Sequence, residues 1–377
     1  RWLDLHNLIG VVTLAWAFQA TLLFWLGRSK KVPLYEKLSY VVMVLAFFSL
    51  VEDWWNYRNA TPVFNADFLN SLLFVVAFGF IFYFQRKFKE EENTKLKFDV
   101  LLMNYFVPGV FLFVLYKAIQ MEISNYWELQ YLTSKADTSG NGYAERYTLY
   151  NEKFMDYKTV WVLNFTLLYL SAIFFAIEKK IRNTALEITA LVISGLTLFL
   201  FISTGLFAQA SLIHSYMNPA DYASTGFFGV IAHYISLLVL AIFVYRIYIY
   251  FINRQEKNRT LFDIFFSILV IWILSAEMLI WLNAFNIYEN NKLGLSILWG
   301  SYSLILISYG IWKSKKHLRI LAIVLFGITL LKLFFYDIVH LNTIRKTIVF
   351  VSLGILLLII SFLYNKYKHL ILDDDKK

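Results

Sequence analysis

The chain has 377 residues, 59% of them hydrophobic, 19% aromatic and only 16% charged, with a net charge of +9. It contains no cysteine, which excludes disulfides, thiolate metal sites and a cysteine nucleophile. The basic excess lies in short segments between long apolar runs, where lysine and arginine orient a membrane protein, so it gives no argument for nucleic acid as a partner.

A helix needs about 20 mostly apolar residues to cross hydrocarbon. Only helices and closed barrels satisfy their backbone in lipid, and continuous rather than alternating apolar runs select helices. Eleven spans are predicted, at 8–26, 35–54, 66–84, 98–119, 159–177, 186–208, 227–250, 261–282, 294–312, 318–337 and 343–364. The reading is an all-α polytopic transmembrane helix bundle, a single domain over 1–377. One long connection, at about 120–158, is polar and tyrosine-rich. The chain opens on Arg1 rather than Met, as expected of a processed or partial piece of a longer protein.

Asp4, His6 and Asn7 open the first span, and Glu52 and Asp53 close the second. Trp54, Trp55, Trp281 and Trp312 fall at span ends, where amphipathic rings prefer the interface. Pro108 and Gly109 interrupt the fourth span and predict a kink. In the long connection, Asp137, Ser139, Asn141 and Gly142 look like the first half of a calcium loop. Thr148 stands where the twelfth-position acid belongs, so a Gly/Asn turn accounts for the same letters. Tyr126, Trp127, Tyr131, Tyr143, Tyr147, Tyr150 and Tyr157 surround it, with the chemistry to stack on sugars, lid a cavity or sit at the lipid interface.

Basic residues cluster after odd-numbered spans, for example Arg28, Lys30 and Lys31, then Lys313, Lys315, Lys316 and Arg319. The positive-inside rule then predicts an outer N-terminus, a cytoplasmic C-terminus and an extracytoplasmic long loop. With that orientation the ionisable residues gather on the outer side: His6, Glu52, Asp53, His214 after the sixth span and His233 in the seventh. Glu277 lies in the eighth span, Lys332, Tyr336, Asp337 and His340 close the tenth, and Arg345 opens the eleventh. His317 and His369 read as ordinary residues of the basic face. Few ionisable groups are expected in the inner half, and charge within a span is costly unless paired, hydrated or functional.

Glu277 and Lys332 each lie about five residues before the outer end of their span, a depth of roughly 7–8 Å. The prediction is that they pair directly or through one polar group, as catalytic residues or as an ion pair fixing the packing. Asp337 is about 140° around an α-helix from Lys332, whereas Tyr336 shares its face. His233, His214, Tyr336, Asp337, His340, Arg345, Glu52, Asp53 and His6 are candidate substrate-binding residues. Neither H-x-x-x-H nor H-E-x-x-H occurs, so no metal is assigned, and no pattern assigns a cofactor.

The segments 292–300 (KLGLSILWG), Leu318-Arg319, 331–337 (LKLFFYD) and 361–364 (SFLY) carry a resemblance, with 275–282 (SAEMLIWL) and 24–27 (FWLG). They resemble a family of bacterial multi-spanning predicted membrane proteins with a domain of unknown function, most strongly from about Ile264 onward. Its members are often longer, with more spans and an N-terminal coiled coil, and this chain's shortness fits a fragment or a reduced member. The resemblance implies a bacterial envelope location and no particular activity. Its motif positions fall on Glu277, Lys332, Tyr336 and Asp337. Three functions remain open: an extracytoplasmic site that binds or modifies a polar headgroup or lipid-linked glycan, a scaffold for envelope protein partners, and a lipid or solute transporter or flippase. Membrane lipids are partners in each, and the bacterial cytoplasmic (inner) membrane is the expected location.

Overall fold

The computed structural model of the chain describes residues 2–55, 61–63, 65–87, 102–137, 148–179, 184–218, 226–252, 256–287 and 291–337, plus isolated positions between 347 and 362. Among the described residues, ten helical segments are long and apolar enough to cross a membrane. They coincide with the first ten predicted spans, and the eleventh, 343–364, falls outside the continuously described residues. The protein is an all-α, polytopic membrane protein.

The helices are α1 (Trp2–Ser29), α2 (Pro33–Trp55), α3 (Ala66–Lys87), α4 (Val107–Thr133), α5 (Lys153–Lys179), α6 (Thr184–Leu200), α7 (Leu206–Met217), α8 (Phe228–Ile252), α9 (Glu256–Ala284), α10 (Asn291–Trp312) and α11 (Lys316–Lys332). A two-residue ribbon pairs Ala136–Asp137 antiparallel with Thr148–Leu149 between α4 and α5. Among the described residues, three π turns punctuate the helices: Leu102–Phe106 before α4, Phe201–Gly205 between α6 and α7, and Leu333–Asp337 after α11. The first stands where Pro108 interrupts the fourth span. Proline brings no N–H to the helical ladder, and the chain registers the interruption by widening the turn just ahead of it.

The helices reach further than the polar letters suggest. Within the predicted loop 120–158, α4 continues to Thr133 and α5 starts at Lys153, because polar residues on one helical face do not stop a helix whose opposite face still packs. Asn151 caps α5, its Oδ1 accepting the Lys153 N–H at 3.0 Å, and its own N–H donates to Ser134 Oγ at 2.9 Å, drawing the loop ends together. The Asp137–Gly142 segment read as half a calcium loop lies mostly outside the described residues.

Read as one domain from sequence, the chain divides by its internal contacts into two compact units. Unit 1 comprises Arg1–Leu198 with Tyr234–Leu240, and unit 2 comprises Phe199–His233 with Ala241–Lys377. In unit 1, α1 packs on α2 and α3, α3 on α4, and α4 on α5. Its core runs from Ala17 and Phe24 through Met43, Phe74 and Phe78 to Val107 and Val114, with Phe74 and Phe78 stacked 4.4 Å apart. In unit 2, α7 packs on α9, and α9 and α11 pack on α10. Large apolar side chains such as Phe48, Leu196, Phe207 and Ile305 remain exposed along the spans. Hydrocarbon, not water, is the solvent that such surfaces suit.

Two basic residues counted as loop charges are buried. Arg28 lies inside the α1–α2 hairpin, with Nη2 on Glu36 Oε1 at 2.5 Å, and Arg319 is enclosed near the start of α11. Hairpins this tight turn the last residues of a span inward. At Gly27 a β-carbon would sit 2.7 Å from the Glu36 backbone nitrogen, so only glycine permits the approach. His317 likewise engages a neighbour, its Nε2 lying 3.0 Å from Asp263 Oδ2, which also accepts from Lys315 at 2.5 Å.

Candidate functional site

The chemistry in unit 2 begins at the second π turn. Its last residue, Gly205, offers a carbonyl that accepts Gln209 Nε2 at 3.1 Å. Gln209 sits in the first turn of α7 on a buried face shared with Ala208, Leu212 and Ile213. Because its NH2 is committed to Gly205, its carbonyl faces the other way and lies 2.8 Å from His233 Nδ1. An amide oxygen only accepts, so Nδ1 carries the proton.

His233, from the start of α8, is fully buried, and its second nitrogen, Nε2, lies 2.7 Å from Glu277 Oε1. The approach is short but bent away from ideal hydrogen-bond alignment. Glu277, on α9, is the member that reaches a surface, with its side chain 21% exposed. With Nδ1–H turned to Gln209, Nε2 is the ring nitrogen that faces the carboxyl group.

The predicted partnership between Glu277 and Lys332 is corrected by this geometry. Glu277 meets His233, and Lys332 Nζ donates to Ser296 Oγ of α10 at 2.7 Å. Equal depth in two spans fixes height but not rotation about the helix axis, and α11 presents this lysine to α10. The π turn Leu333–Asp337 also alters the reckoning around Lys332. It closes i→i+5 bonds, so the α-helical step that separates Asp337 from Lys332 and aligns Tyr336 with it does not continue through the turn.

Of the other candidates, His214 is exposed in the last turn of α7, and Tyr336 is exposed within the third π turn. Asp337 ends that turn, and its side chain lies outside the described residues, as do His340 and Arg345 altogether. Glu52 is exposed and Asp53 buried at the end of α2, in unit 1. His6 lies in α1, with its side chain outside the described residues. Sequence reasoning passed over Gln209 and Ser296. Both are uncharged residues in apolar runs, and such a residue becomes informative only once its neighbour is known.

A chain of long apolar helices interrupted by π turns, with a histidine–glutamate contact inside one unit, defines a multi-spanning α-helical membrane protein. Residues 2–367 match the family described as predicted membrane protein (DUF2339), and the chain belongs to that family. That description extends the resemblance of the C-terminal third across nearly the whole chain and gives residence without an activity. No curated protein and no solved structure matches the chain.

Proposed function

We propose that unit 2 binds a polar headgroup or a lipid-linked glycan in the extracytoplasmic leaflet of the bacterial cytoplasmic membrane, and that Glu277 exchanges a proton with it. The observation that carries this reading is the His233–Glu277 contact at 2.7 Å, backed by Gln209 on the far side of the ring. A carboxylate alone in a span is a cost. A carboxyl group set against an imidazole whose other nitrogen is fixed is an arrangement suited to general acid–base chemistry. The ammonium of Lys332, within the same unit, supplies a positive charge suited to a phosphate or a sugar acid. His214 and Tyr336 supply polar groups at exposed positions of that unit.

Native mass spectrometry of protein released from membranes tests the reading. The wild type is expected to retain a lipid or lipid-linked species enriched over its share of the bilayer. Glu277→Gln, which keeps the size and a hydrogen-bonding head, is expected to lower that occupancy about tenfold with the unfolding temperature unchanged. Lipids carried by both proteins in bulk membrane proportions would overturn it.

A further inference from the structure

Unit 1 carries a lysine in the middle of a membrane-length helix, and among the described residues no carboxylate meets it. Lys117 is partly buried near the centre of the span Leu102–Thr133, and its Nζ donates to Gln120 Oε1, a neutral acceptor, at 2.7 Å. Glu122, the next acid along α4, stands about 140° around the helix and accepts from Val63 and Asn65. The hydroxyls of the adjoining α4–α5 seam are spent as well. Thr166 donates to the Val162 carbonyl at 2.7 Å, Tyr116 to Thr166 at 2.9 Å, and Tyr169 to the Leu112 carbonyl at 2.7 Å.

We propose that Lys117 and the polar ladder it opens on α4 form a binding site for a phosphate group, separate from the His233–Glu277 contact of unit 2. Gln120 turns its carbonyl to Lys117, so its NH2 points the other way and donates to Ser124 Oγ at 2.9 Å. Lys117, Gln120, Ser124 and Glu128 follow one another at three- and four-residue steps, which sets them on one face of the helix. Glu128 is matched by Lys158 at 2.8 Å, so this end of the ladder carries balanced charge and does not repel an anion. It lies among aromatic rings of the kind that collect at a lipid–water boundary. Trp127 stacks on Tyr157 at 4.8 Å, and Tyr131 stacks on Tyr150 at 5.0 Å. Trp127 is ten residues beyond Lys117, roughly 15 Å along the helix. The ladder therefore leads from that boundary down to the ammonium.

The ligand class follows from what the ladder leaves unused. An ammonium has three N–H groups and a side-chain amide has two. One of each is committed within the ladder. Ser124 receives its bond through oxygen, and among the described residues its own O–H meets no acceptor. The ladder thus offers donors, and an ammonium within a span calls for a negative charge. A phosphate accepts through several oxygens at once, which suits an ammonium followed by an amide N–H and a hydroxyl. A carboxylate has two oxygens and reaches fewer of them. A basic residue kept for packing alone is expected to bring its own acid, as Arg28 does with Glu36.

Equilibrium binding of radiolabelled dihexanoylphosphatidic acid to the full chain, in an uncharged detergent, tests this. Saturable binding is expected, with dihexanoylglycerol, which lacks the phosphate, competing at least about tenfold more weakly. Lys117→Gln is expected to weaken binding about tenfold, Ser124→Ala several-fold, and Lys117→Arg less than about threefold. The unfolding temperature of Lys117→Gln should hold or rise, because the change removes a charge from the span. Ser124→Ala, which leaves every charge in place, keeps the test independent of folding. Competition by inorganic phosphate would identify a soluble phosphate as the natural source, and competition by phosphatidic acid alone a lipid headgroup. Absence of saturable binding, equal competition by dihexanoylglycerol or by hexanoate, or a Lys117→Gln protein that is less stable and binds unchanged would overturn the proposal. Each of these readouts is independent of Glu277.

Discussion

Two glutamates within the helices, the buried Glu122 of unit 1 and the partly exposed Glu277 of unit 2, are held in opposite ways. Glu122 in unit 1 accepts hydrogen bonds from a backbone N–H and a side-chain amide, neither of which titrates. Glu277 in unit 2 faces an imidazole, which does. The two donors fix the Glu122 carboxyl group in one position inside unit 1. A histidine partner is what the acid–base role proposed for Glu277 requires. What separates the two glutamates is the partner that the fold brings to each.

The largest expected effect tests the rigid side of that comparison. Glu122→Ala takes the acceptor from the Val63 N–H and leaves the Asn65 amide only the Thr61 carbonyl. At about 1–3 kcal/mol for each hydrogen bond lost from the buried carboxyl group, unfolding of the purified protein should become easier by roughly 2–6 kcal/mol. Val63 also loses the contact that holds its left-handed backbone. A loss below 1 kcal/mol would mean that the turn at 61–65 is stable without the carboxylate.

On the other side, His233→Ala should cost roughly 2–4 kcal/mol, from the stranded Gln209 carbonyl and the cavity left by the ring. Glu277→Gln should cost far less, because its side chain reaches a surface and an amide can still face the ring. If the glutamine variant were as damaging as the alanine variant at His233, Glu277 would be a structural partner like Glu122 and the contrast would collapse.

The helices of both units were legible because hydropathy is a local property: twenty apolar residues in a row are a span whatever they pack against. The pairings were not, because they depend on rotation about each helix axis. Glu277 and Lys332 stand out by cost, yet the partner of Glu277 is His233, on another span, with Gln209 behind it, an unremarkable residue in the letters AQASL. Glu122 escaped notice because its segment reads as polar loop, whereas α4 carries it well before the helix ends at Thr133. Arg28 and Arg319 read as loop charges because composition does not show how tightly a hairpin closes. The π turns left a trace only at Pro108; nothing in the letters FISTG or LFFYD marks a widened turn.

Two asparagines sharpen the account of unit 1. Each caps a helix, Asn65 at α3 and Asn151 at α5, and cap removal alone costs about 1 kcal/mol. Asn65 also donates to Glu122 and Asn151 does not. Asn65→Ala should therefore cost more than Asn151→Ala. Its effect should also combine non-additively with Glu122→Ala in a double-mutant cycle, while Asn151→Ala adds independently. Additivity at both positions would dissolve the network that ties the cap to the carboxylate.

The smallest effect belongs to a third glutamate. Glu128 accepts Lys158 at 2.8 Å, a distance matching the other two, but the lysine and glutamate side chains are 31% and 39% exposed. Here solvent already stabilises both charges, and ordering two long side chains offsets most of the Coulomb gain. A double-mutant cycle with Glu128→Gln and Lys158→Met should give a coupling of about 0.2–1 kcal/mol, falling further as salt is added. A coupling of 2 kcal/mol or more that survives molar salt would show that this pair is shielded as Glu122 is. Three carboxylates with near-equal partner distances would then differ for a reason other than burial, and the contrast between the two units would have to rest on the titrating imidazole alone.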